Sequence, residues 1–129
     1  MDPATGPLTM AELAELEATL LPAVERHHLR LLAHSLRTLQ AIAGREQGPL
    51  PDGSHLETWA AAVPALRDDP GFRSGYLLQL QAAARQLEAI AAELGTTALG
   101  LDLGQLAQWA RGQADARLSA PPAPPRPEH

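Results

Sequence analysis

The chain has no cysteine, no lysine and no asparagine. Without cysteine, disulfides, thiolate metal sites and cysteine nucleophiles are excluded. Aromatic residues are nearly missing too, with one Phe, one Tyr and two Trp in 129 residues. β-Branched residues are also scarce, so the usual sheet formers are lacking. No apolar run approaches the roughly 18 residues needed to span a bilayer. The first residues, MDPATGPLT, hold no basic segment followed by an apolar one. No secretory signal is therefore expected, and the cytoplasm is the default location. Motifs of catalysis are missing as well. There is no GxSxG, no P-loop, no GxGxxG, and no strand for them to follow, so neither an enzyme nor a cofactor is expected.

Ala and Leu make up most of the hydrophobic content, and both are strong helix formers. Abundant Ala, Arg, Gly and Pro, with Lys and Asn absent, fit the GC-rich codons of a high-GC bacterial genome. The length suits a single core. These features predict an all-α protein, a compact bundle of four to five mostly antiparallel helices. Residues 1–8, with Pro3, Gly6 and Pro7, read as a flexible arm, residues 9–118 as one domain, and residues 119–129 as a disordered Pro-rich tail. A formal net charge of −5 argues against general binding to nucleic acid, which depends on phosphate neutralisation by Lys and Arg.

The central element is predicted over residues 22–43. At about 100° per residue, Leu20, Val24, His28, Leu31, Ser35, Leu39 and Ile42 share one side, widened by Leu21, Leu29, Leu32 and Leu36. An apolar arc that broad marks a helix packed on more than one neighbour. Arg26, Arg30 and Arg37 fall together on the opposite side, flanked by His27 and His34.

Around this helix the capping signals place the others. Thr9 and Glu12 have capping-box form and open a first helix, which Pro22 ends in a kink or short break. Gly44 suits the left-handed residue past a helix end. Residues 44–53 read as a loop, and Ser54 with Glu57 as a second capping box for a short helix that Pro64 interrupts. Asp69 and Pro70 start a long helix with N-cap and first-position chemistry. Along it, Leu77, Leu80, Ala84, Leu87, Ala91 and Leu94 form a narrow seam for an antiparallel partner, the central helix or a second copy in a homodimer. Asp102 then caps a final helix over residues 103–118.

Function is read from the stripe of Arg26, His27, Arg30, His34 and Arg37. Arginine offers a planar fork of donors, so such a row suits an acidic protein surface, a phosphorylated ligand or a carboxylate. The alternative is a solvated face whose arginines pair with the acidic first helix or with Asp68 and Asp69. His27 and His34 lie roughly 10 Å apart along the axis, too far to share a metal ion. The chain is therefore predicted to be a non-catalytic interaction module, an adaptor, assembly factor or regulator that docks an acidic partner on the stripe, with the 44–54 loop as a candidate extension. The competing reading is a DNA-binding regulator whose residues 89–111 imitate a helix-turn-helix. Against it stand a long turn and Gly100, Asp102 and Gly104 where base-contacting side chains belong. A third reading, a bundle enclosing a small apolar ligand, requires an internal pocket lined by Leu and Ala. The tail's PxxPxR (Pro121, Pro124, Arg126) has the form of an SH3 ligand and reads instead as a solubilising or linking segment.

Overall fold

A computed structural model describes residues 8–119. The expectations for residues 1–7 and for the tail beyond Ser119, its PxxPxR included, lie outside the described residues. Within them the chain is all-helical and forms the expected bundle. Its helices are α1 (Met10–Glu17), α2 (Ala23–Ala43), α3 (Gly53–Ala62), the single turn α4 (Pro64–Arg67), α5 (Pro70–Leu94) and α6 (Leu103–Ser119). The count reaches six because Pro22 and Pro64 each divide what could have been a longer helix.

α2 is the hub, packing on α1, α5 and α6. Its buried side comprises Leu29, Leu32, Ala33, Leu36 and Leu39, together with two polar residues, Glu25 and Gln40. That arc is rotated from the predicted one. Val24 and Leu31 are exposed, and Leu20 lies outside any helix with 90% of its surface in solvent. The rotation follows from α1, which packs on α2 at the side of Arg37 and so moves the buried side toward it. Leu29, Leu36 and Leu39 meet Leu87, Ile90 and Leu106 in one fully buried cluster, each side chain contributing about 1.5–3 kcal/mol.

Local signals explain most of the boundaries. The Thr9 hydroxyl accepts from Glu12 N, and the Glu12 carboxylate accepts from Thr9 N, completing the box that starts α1. Leu8 and Leu13 occupy the positions of a hydrophobic staple around that cap, and Leu8 is buried rather than part of an arm. Gly44 and Gly95 end α2 and α5 at φ 70°, a region open to glycine. Asp69 caps α5 as predicted, accepting from Phe72 N. Asp102 and Gln105 form a further reciprocal box at the start of α6. α3 corrects the sequence reading: Asp52, not Ser54, accepts from His55 N, because an aspartate stands ready one turn-start earlier.

The α5 seam is filled within the chain. Leu80, Ala84, Leu87 and Ala91 are buried, Leu77 is half-buried, and Leu94 at the end is exposed. The middle of the seam, from Leu80 to Ala91, is therefore taken up within the chain. α5 does pack on α2, but the neighbour tied antiparallel to α2 at both ends is α6. Gln40 near the end of α2 donates to Leu99 O ahead of α6, and Glu25 near its start holds Arg117 in the last turn of α6.

Candidate functional site

The three arginines of the stripe all face α1. Arg37 donates from Nε and Nη2 to Glu12 Oε2 at 3.1 and 2.6 Å, a forked contact that is three-quarters buried. Arg26 Nε lies 3.6 Å from Glu17 Oε2, and Arg30 pairs with the same carboxylate. Arg30 also leaves its Nε–H without an acceptor. Asp68 and Asp69, the other acids weighed as partners, are engaged elsewhere: Asp68 with Arg67, and Asp69 as the α5 cap.

The histidines separate from the arginines. His27 is exposed beside the stripe. His34 is half-buried and turns toward a trough between α2 and α5, which it lines with Leu31, Ser35, Thr38, Tyr76 and Gln79. Burial, and then the charge of Arg30, hold its imidazole below the usual histidine range, so it is neutral at neutral pH. His28 is exposed and sets its ring edge-on to Trp109 at 5.7 Å. At one end of the trough stand three of the four aromatic residues. Trp59 lies 6.1 Å from Tyr76, Phe72 lies 6.3 Å from Tyr76, and Phe72 is largely exposed.

Behind the stripe runs a polar chain that sequence reasoning missed. Arg37 Nη1 donates to Gln40 Oε1 at 2.8 Å, and the Gln40 amide donates to Leu99 O at 2.8 Å. Gly48 N then donates to Thr97 Oγ1, and Leu99 N donates to Gly48 O. Glu12, Arg37 and Gln40 thus link α1 through α2 to the 95–102 loop, which fixes the Arg37 fork in place. Burial pushes the Glu12 carboxyl up, but the Thr9 N–H and the Arg37 guanidinium outweigh it and hold the group below the usual carboxylate range. The 44–54 loop is likewise folded on itself, with Arg45 donating to Gln47 O and Pro49 O.

Other chemistry finds less support. Residues 95–102 do not form the tight turn of a helix-turn-helix: Ala98, Leu99 and Leu101 are buried, and α6 packs chiefly on α2. The clefts beside Tyr76 and beside His28 open between surface helices rather than within the core, so neither is the enclosed apolar pocket of a small-ligand carrier. Among the described residues, no three His, Asp or Glu side chains gather as a metal site would need. No described helix is long and apolar enough to cross a membrane.

Comparison with known proteins gives a family match. The model of a family described as NDH complex assembly factor CRR9 matches residues 8–117, most of the chain and nearly all of the described bundle. No curated protein and no solved structure matches.

Proposed function

The chain belongs to the NDH complex assembly factor CRR9 family, and on that premise we propose that it works without catalysis, by holding a protein component of an NDH complex during assembly. The component presents an acidic surface and docks on the Arg/His face of α2. One observation carries this reading. Three guanidiniums, those of Arg26, Arg30 and Arg37, share two carboxylates, and Arg26 and Arg30 remain 36% and 43% exposed. Each guanidinium has five donors in a fixed fork, so these two have donors to offer to further carboxylates. His27 adds a donor at the edge. The α2–α5 trough extends the face with Tyr76 and Phe72, residue types that anchor protein interfaces.

The test uses purified components of the NDH complex and their affinity for the wild-type chain and for Arg30→Glu, at low and high salt. The variant, checked for folding by circular dichroism, should bind on the order of tenfold more weakly. Wild-type affinity should fall as salt rises, because exposed charge pairs are screened. Equal affinity for both chains, insensitive to salt, would remove the Arg/His face as the docking site.

A further inference from the structure

α1 lies on the stripe as an acidic amphipathic helix from another protein would. Its residues 12–17 read ELAELE. Leu16 is fully buried and Leu13 packs against the core, while Glu12 and Glu17 flank them on the arginines. Apolar and charged positions thus repeat on one helix face with a spacing that fits the surface of α2.

The chain holds this helix loosely. Eight residues are too few for a helix that is stable alone in water, so α1 depends on its docking. Its link to α2, residues 18–22, is non-helical. The link contains Leu20 at φ 58°, the one non-glycine residue with left-handed backbone among the described residues. Leucine is strained there, since Cβ crowds the following carbonyl, and its side chain is almost wholly in solvent, where no packing offsets the strain. Opening the link relieves that strain.

We propose that α1 is an internal stand-in for the partner: the surface beneath it receives an acidic amphipathic helix of the pattern Glu-Leu-x-x-Leu-Glu from the incoming protein, which displaces α1 about the 18–22 link. This rests on the stripe being the docking face. It adds the chemistry of the partner and a threshold for binding, because the free chain's affinity is reduced by the fraction of molecules in which α1 is still seated. Leu8 and Leu16 anchor the seated state. The incoming helix must therefore replace their apolar contacts as well as the carboxylates, and a simple polyanion does not qualify.

The probe is a fluorescent peptide of residues 8–19, titrated into the full-length wild-type chain and into Glu12→Gln/Glu17→Gln. The variant grips its own α1 less firmly, so the peptide should bind it at least tenfold more tightly than it binds wild type. Hydrogen exchange should show lost protection over residues 10–17 of the chain on binding. A peptide with both glutamates changed to glutamine should not bind. Equal binding to both chains with α1 still protected would overturn the stand-in role while leaving the docking face in place. An α1 that opens without the peptide binding would overturn both readings. A doubled mass of the variant in light scattering would assign the site to α1 of a second copy and overturn the assignment to a partner helix.

Discussion

Glu25 and Gln40 occupy positions that the spacing of α2 assigns to leucine, in line with Leu29, Leu32 and Leu36. A polar residue at an apolar position is a readable signal in the sequence. Its partner is not, because Arg117 lies 92 residues from Glu25 and Leu99 lies 59 from Gln40. The Arg117 guanidinium, donating to both oxygens, holds the Glu25 carboxyl below the usual carboxylate range. Glu12 is held low too, where Thr9 and Arg37 outweigh its burial, and His34 is held low by burial and Arg30. All three bind protons more weakly in the folded chain than in the unfolded one, so each favours folding at neutral pH and loses that contribution on acidification. His34 loses it below its ordinary value of about 6.5, and the carboxylates below about 4.3. The melting temperature should therefore fall as pH drops below neutrality and fall further in the carboxylate range. His34→Gln should flatten the upper part of the curve, and Glu12→Gln the lower. A melting temperature constant down to about pH 3 would contradict these pairings.

At the scale of the helix, cap chemistry was the most legible part of the sequence. Thr9 with Glu12, Asp69 with Pro70, and Asp102 all sit where local hydrogen bonding places them. Those bonds span three residues and need nothing from the rest of the fold. The stripe was legible as a row of arginines that is either a free face or paired with the acidic first helix, and the choice between the two depends on how the chain turns at residues 18–22. That turn could not be read, because leucine is a poor candidate for φ 58°. Leu20→Gly is the direct probe of this link. Glycine adopts the left-handed region freely but adds entropy to the unfolded chain, and the two effects leave a net stabilisation of up to about 1 kcal/mol. Thermal denaturation should show a modest rise in stability, and slower exchange over residues 10–17 should locate it in α1. A loss of stability would mean that Leu20 is not strained.

For the molecule as a whole, the breadth of the apolar arc pointed to several neighbours, and α2 does contact α1, α5 and α6. Which neighbour takes which side was not legible, because α5 and α6 both offer small and leucine-rich faces. The seam of α5 suits the central helix or a second copy for the same reason, and the fold buries its middle, Leu80 to Ala91, within the chain. Membership of an assembly-factor family implies a protein partner, and the partly exposed arginines around α1 are the place proposed for it to dock. The measurement that tests this account most directly is hydrogen exchange of the chain, free and mixed with the NDH component proposed as its partner. The account predicts faster exchange over Met10–Glu17 on binding, with slower exchange across residues 26–37 of α2. Protection of α1 that stays the same or increases, with no change along α2, would contradict it.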